Sequence, residues 1–379
     1  MKIFFYAGLL SLIIFELASI YFIMPLPGSQ RIPSLEAAYF IHRWRISFWV
    51  GCGLLIALGI IPAFSEYGKK WVPILASLVT IGLVSWIHFK MNAQALFQEP
   101  QQVQLAPGSQ NKVNPKRLVV GVVMGKEARA YPIQFLAYHH QVRDTVAGTP
   151  ILVTYCSVCR TGRVYGSLVD GEPETFRLVG MDHFNALFED SRTHSWWRQV
   201  NGEAVVGSLK GAYLPDVPSR QTTLEEWLKL YPNSLVFQGD PAFTEEYSKD
   251  MAYENGTSES ELTGTDKHSW HEKSWIVGID AGRNSKAYDW NRLKQQRIIN
   301  DVVGDVPVLV VLAKDNASFF AYQRPDVSTI YALKNDSLIT VGHSYDLAGR
   351  SSEGRLRPIN ASQEFWHSWS TFHPKTERY

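Results

Sequence analysis

The chain has 379 residues, with 37 Lys and Arg against 36 Asp and Glu and a formal net charge of +1. There is no basic run and no basic face interleaved with aromatics, so nucleic acid is excluded as an expected partner. Charged residues make up only 19% and there are 12 tryptophans, an apolar bias at a length that accommodates two domains or one domain beside a membrane anchor.

The bias begins at the front. Ile3 to Met24 is apolar apart from Glu16, and Ile46 to Phe64 and Trp71 to Ile87 carry no charge. A spanning helix needs roughly 17–25 apolar residues, so residues 3–24, 46–64 and 71–87 are expected to be transmembrane helices. Tyr21, Trp49, Trp71 and Trp86 near their ends fit interfacial anchors. Met24-Pro-Leu-Pro-Gly has no small-x-small cleavage pattern, which favours a retained first helix over a signal peptide. A carboxylate inside a span is costly, so Glu16 is expected to face a neighbouring helix. Lys2, Lys69 and Lys70 fall on one side of the membrane, and Arg31, Arg43, Arg45 and Lys90 on the other. By charge alone the soluble part leans to the cytoplasm by one residue.

The chain then divides into a membrane region at 1–92, a polar Gln-rich linker at 93–117, a first repeat at 118–245, a connector at 246–275 and a second, degenerate repeat at 276–379. "VVGVVMGKEARAYPIQFL" from Val119 aligns with "IVGIDAGRNSKAYDWNRL" from Ile276, matching Gly121 with Gly278, Gly125 with Gly282 and Tyr131 with Tyr288. Without a gap, Asp144 matches Asp301 and "TPILVTYC" lies over "VPVLVVLA". Further on, Trp227 pairs with Trp369 and Pro232 with Pro374. So many matches in one register mark an internal repeat.

Val119–Met124 and Ile276–Asp280 read as strands, followed by turns at Gly125 and Gly282. Ile133–His140 reads as a short helix, with Pro132 suited to its first turn. Ile151–Tyr155 reads as a buried strand, and Arg163–Val169 as another. Thr223–Leu230 reads as a helix capped by Thr222 or Thr223 and stopped by Pro232. The expected class is α+β, predominantly antiparallel β with short helices, behind an α-helical transmembrane region.

The chemistry-bearing motif is "TYCSVCRTG", Thr154 to Gly162. Cys156 and Cys159 fall opposite Ala313 and Asn316 of the second repeat, so a shared fold does not require them. Three readings stand. In a redox or thiol site, Cys156 and Cys159 are the reacting pair and Arg160, with Arg163, favours the thiolate. The β-like sequence after the pair argues against a thioredoxin helix. In a metal site, copper or zinc is held by the two cysteines, with His183 or His194 completing the set; His139 and His140 are further candidates, whereas Cys52 lies in a span. In the third reading a disulfide pins a loop of an exported protein. The missing His after Cys159 excludes the usual c-type haem attachment motif. A second constellation, Met181 to Gly207, gathers Asp182, His183, Asn185, Glu189, Asp190, His194, Ser195, Trp196, Trp197 and Gln199. It reads either as a pocket wall or as a hairpin with a solvated edge. His268 and His271 in "KHSWHEKSW" read as surface residues. No nucleophile elbow or phosphate loop is present.

The combination of Tyr-Cys-x-x-Cys, Asp-x-x-Thr-x-Ser-x-Trp from Asp190 to Trp197, and Trp-x-x-x-x-Pro from Trp227 to Pro232 resembles the bacterial domain of unknown function 3179 family, strongly over Val119 to Gln238 and more weakly over the second repeat. The resemblance carries over motif positions only: Cys156, Cys159, Thr161, Asn185, Asp190, Ser195, Trp197 and Gln199, the last six as a candidate binding pocket. It implies a protein of the bacterial inner membrane whose soluble part lies on the extracytoplasmic side, against the one-charge lean. The three-span anchor departs from the family's simpler exported arrangement and implies a role beside a membrane protein partner.

Overall fold

The computed structural model describes residues 1–65 and 68–379. The chain is mixed α+β, with many short antiparallel sheets behind a helical N-terminal region. It forms two compact units: one comprises Met1–Gln98, Phe176–Arg198 and Glu203–Ala212, the other Glu99–Thr175, Gln199–Gly202 and Tyr213–Tyr379.

In the first unit, α1 (Lys2–Tyr21), α2 (Leu35–Arg43), α3 (Arg45–Phe64) and α4 (Trp71–Lys90) are α-helices, and α1, α3 and α4 are long and apolar enough to cross a membrane. α1 and α3 approach closely through glycines. A Cβ on Gly59 would lie 2.2 Å from the Phe5 nitrogen, and one on Gly8 would lie 2.7 Å from Ile56; small residues let apolar helices pack backbone to backbone. Glu16 is buried at 2% exposure and faces both neighbouring helices. Its carboxylate accepts the Trp49 indole N–H at 2.8 Å and lies 3.5 Å from His88 Nδ1. This unit also holds a four-stranded antiparallel sheet of Phe176–Asp182, Asn185–Asp190, Trp196–Arg198 and Ala204–Val206. Val179, Leu187, Trp196 and Val206 of that sheet pack with Ala38 and Tyr39 of α2.

The second unit carries the repeat as a repeated topology. In the first copy Leu118–Met124 and Glu127–Pro132 form a hairpin with Gly121 opposite Ala130; in the second, Trp275–Ala281 and Asn284–Asp289 do so with Gly278 opposite Ala287. An outer strand joins each hairpin antiparallel, Ser219–Thr223 in one and Ala361–Phe365 in the other. A short strand joins each from the other side in parallel, Leu235–Phe237 and Glu377–Arg378. The helix between outer and parallel strand, Leu224–Leu230 or Trp366–Phe372, lays a tryptophan over the hairpin. A Cβ on Gly121 would lie 2.2 Å from Trp227, and one on Gly278 would lie 2.2 Å from Trp369. Both positions therefore admit only glycine beside a fully buried indole. Each indole N–H is satisfied seven residues later, by Ser234 or Thr376, at 2.8 Å in both. Tyr131 to Asp144 and Tyr288 to Asp301 repeat another hydrogen bond, at 2.6 and 3.1 Å.

The Thr223 side chain caps its helix by accepting the Glu226 N–H. The segment read as a linker contributes more than a tether: Leu105–Pro107 pairs antiparallel with Leu235–Phe237. Three paired residues are too few to give a period in a Gln-rich sequence.

Candidate functional site

In the first copy, Gln141–Val146, Thr149–Cys156 and Thr161–Gly166 form a meander, and Cys156 opposite Thr161 is the last pair before the tip. Cys156 and Cys159 are buried, at 1% and 0% exposure. Ser157 to Arg160 make the tip, and Arg160 has φ of +59°, a conformation uncommon outside glycine. Its side chain holds it there. The guanidinium donates from Nε to Gln363 Oε1 at 3.0 Å, from Nη1 to the Tyr253 carbonyl at 2.9 Å and from Nη2 to the Glu254 carbonyl at 3.0 Å. It also lies 3.7 Å from the Trp275 ring centroid, a cation–π contact in a desolvated setting. Arg160 thus acts as a strut between the hairpin tip, the connector and the second copy.

Three carbonyls of the tip, those of Ser157, Val158 and Cys159, are each held. Tyr253 Oη donates to Ser157 at 3.0 Å, Lys273 Nζ and His367 Nε2 meet Val158 at 3.3 and 3.1 Å, and the Phe365 N–H donates to Cys159 at 2.9 Å. Lys273 Nζ also donates to the Leu262 carbonyl at 2.5 Å. Burial pulls the Lys273 pKa below the ordinary lysine value, while attraction to Cys159 and Cys156 works the other way. Lys273 is thus a partly desolvated ammonium beside the hairpin tip. Burial, aided by the Lys273 charge, brings His367 down to about 4. Its imidazole is therefore neutral near pH 7 and serves the Val158 carbonyl as an N–H donor.

Lys273 and His367 have no counterpart in the motif around the cysteines. They arrive from the connector and the second copy, and only the density of aromatic and basic residues in "KHSWHEKSW" marked that stretch. The second copy closes the same hairpin without sulfur. Leu312 pairs with Phe319, and the Ala313 N–H donates to the Ser318 carbonyl at 2.8 Å, with Ala313 and Asn316 standing where Cys156 and Cys159 stand.

Of the other sequence candidates, Gln199 and Thr161 come together. Gln199 Nε2 donates to the Thr161 carbonyl and to Thr154 Oγ1, both at 3.0 Å, clasping the hairpin below its tip. Thr161 Oγ1 donates to the Cys159 carbonyl at 3.4 Å. Asp190, Ser195 and Trp197 lie in the first unit and close on one another. Asp190 accepts from the Thr193 backbone and hydroxyl, the Ser195 N–H and the Trp197 indole, at 2.5, 2.7, 3.1 and 2.9 Å. Ser195 Oγ accepts the Leu209 N–H at 3.1 Å. Asn185 is fully buried opposite Asp182 in the same sheet. Asp190, Thr193, Ser195 and Trp197 are thus hydrogen-bonded to one another.

His183 and His194 also belong to the first unit. His183 Nδ1 lies 2.7 Å from Asp182, whose hydrogen bond raises the imidazole pKa. His194 Nδ1 lies 3.5 Å from Glu189. Burial alone would raise the Glu189 pKa, but the His42 hydrogen bond, the Arg177 charge and the Trp196 indole together bring it to about 2. Among the described residues, the His, Cys, Asp and Glu group whose ligand atoms converge within 4.8 Å is Asp266, His268 and His271.

A family profile described as "Protein of unknown function (DUF3179)" matches residues 98–376. No curated protein and no solved structure matches the chain.

Proposed function

Starting from the chain's membership of the DUF3179 family, we propose that the hairpin tip is a dithiol site on a membrane-anchored protein, with Cys156 and Cys159 passing between two thiols and one disulfide. The observation that carries this reading is the Lys273 ammonium, whose Nζ donates to the carbonyl of Val158, between the two cysteines, at 3.3 Å; a cation in such a place stabilises thiolate over thiol. In the oxidising direction one thiolate attacks a disulfide-class acceptor, and the second thiol resolves the mixed disulfide. Two protons and two electrons leave the pair, and the acceptor departs as two thiols. Arg160 holds the tip and Lys273 supplies the charge. Since members of the family are expected to be exported, the soluble part faces the extracytoplasmic side of the bacterial inner membrane.

The test is native mass spectrometry of the full chain in detergent, purified without reductant or chelator, followed by equilibration in thiol–disulfide buffers. A reversible two-hydrogen mass change, lost in Cys156→Ser and in Cys159→Ser, supports the reading. A disulfide that forms but resists reduction until the protein unfolds makes it a staple. A metal-sized adduct lost with either cysteine makes it a copper or zinc site.

A further inference from the structure

We propose that Asp266, His268 and His271 form a site for a first-row divalent transition-metal ion, zinc in the first instance, separate from the thiol pair. Asp266 presents one carboxylate oxygen to each imidazole: Oδ1 lies 3.1 Å from His268 Nδ1 and Oδ2 lies 2.7 Å from His271 Nδ1. All three residues therefore offer a ligand atom within 4.8 Å of the other two. Imidazole nitrogen and carboxylate oxygen are the donors zinc takes in its open sites, where three protein ligands leave a position for water. The exposure of His268 and His271, at 81% and 59%, leaves room for that water and a path for entry.

The loop is built to hold this arrangement. The His268 N–H donates to Asp266 Oδ1 at 2.9 Å, and the Asp266 N–H donates to the Lys273 carbonyl at 3.2 Å. Ser274 Oγ donates to the His268 carbonyl and accepts the His271 N–H. Between the two histidines, Trp270 takes φ of +67° and packs edge-on against Trp366, with Arg378 over both rings. A non-glycine residue in that conformation is held by its surroundings, and here it turns His268 and His271 to the same carboxylate. A solvent-open cavity of about 610 Å³ adjoins the loop, lined by Asp266, Glu259, Glu261 and Glu272 against Lys267 and Lys273. Its acidic majority favours a cation. In the sequence the two histidines are three residues apart with no neighbouring cysteine, which reads as surface; Asp266 is what makes them a set.

The experiment is calorimetric titration of the full chain in detergent, stripped of metal by chelator, with zinc chloride. Uptake of one ion is expected. It should be lost in the His268→Ala/His271→Ala variant and weakened at least tenfold in Asp266→Asn, since the single anionic ligand of the three becomes a neutral amide. It should persist in Cys156→Ser/Cys159→Ser. Cobalt(II) should give a visible ligand-field spectrum without thiolate charge transfer. Absence of uptake, or uptake that follows the cysteines and ignores the histidines, overturns the proposal. Because the His268 and His271 side chains are exposed, their variants should melt as the parent does. Loss of this site leaves the thiol-redox reading intact, and loss of thiol exchange leaves this one intact.

Discussion

Lys273 Nζ donates to the carbonyl of Val158 at 3.3 Å, in the turn that separates Cys156 from Cys159. An ammonium so placed does two things at once: it fixes the turn and lowers the cost of a negative sulfur. Lys273→Met keeps the aliphatic stem and removes the charge. The pH midpoint of thiol labelling should then rise by about one unit, since a neighbouring opposite charge shifts a pKa by roughly 1–3. Stopped-flow labelling with a small methanethiosulfonate across pH gives the midpoint, and an unmoved profile sinks the assignment of Lys273.

Burial of both sulfurs implies a gate. A small methanethiosulfonate should label the native protein at least tenfold faster, relative to a free thiol standard, than a bulky maleimide, because reaction requires the tip to open. Equal relative rates would mean the thiols are reached without opening.

The sulfur-free hairpin of the second copy bears on stability. Cys156→Ala and Cys159→Ala should each cost no more than about 2 kcal/mol, the scale for deleting a small buried group. Arg160→Ala should cost about 3–5 kcal/mol, because it leaves buried acceptors unserved and removes a stacked guanidinium. Denaturant titration of the three variants orders them. An Arg160→Ala chain as stable as the cysteine variants would remove the strut from the account.

Gly121→Ala and Gly278→Ala are matched tests of the repeat. Each forces a methyl group into an indole, so each should cost about 1–3 kcal/mol, as overpacking does. A large effect at one and none at the other would mean the two tryptophans are not equivalent supports.

Acid should loosen the two units in different windows. Burial brings His140 in the second unit down to about 4, below the unfolded value near 6.5. Its contribution is full above the unfolded value and is lost as pH falls from about 6.5 to 4. Glu189 in the first unit, at about 2, keeps its contribution above the unfolded value near 4.5 and loses it as pH falls toward 2. The His140 shift corresponds to roughly 3 kcal/mol. Hydrogen exchange followed by mass spectrometry should show Val142–Cys156 losing protection before Phe176–Asp190. Simultaneous loss would contradict the assignment.

Much of this was legible in the sequence. Apolar runs, broken once by Glu16, marked the three long helices because hydrophobic length is a local property, and matched glycines and tryptophans marked the two hairpins in which a glycine lies under an indole. Glu16 could be placed against neighbouring helices on cost alone. What the sequence could not reveal was long-range: Lys273 and His367 reach the Val158 carbonyl only through tertiary packing, and the Arg160 guanidinium meets Gln363 and the carbonyls of Tyr253 and Glu254. The polar stretch from Met181 to Gly207 reads equally as a pocket wall or a hairpin, because side-chain density in a sequence does not distinguish donors aimed at a ligand from donors aimed at each other.

The repeat also places equivalent residues face to face. Gln221 Nε2 donates to Gln363 Oε1 at 2.7 Å, and these glutamines hold the same position in the two copies, opposite Val120 and Val277. In a dimer of identical chains such a contact would be its own mirror partner. Within one chain it has a direction, because Gln363 Oε1 also accepts from Arg160, whose counterpart is Ala317. The difference at the hairpin tip is thus carried to the point where the halves meet: the copy without sulfur is the wall against which the other's turn is held.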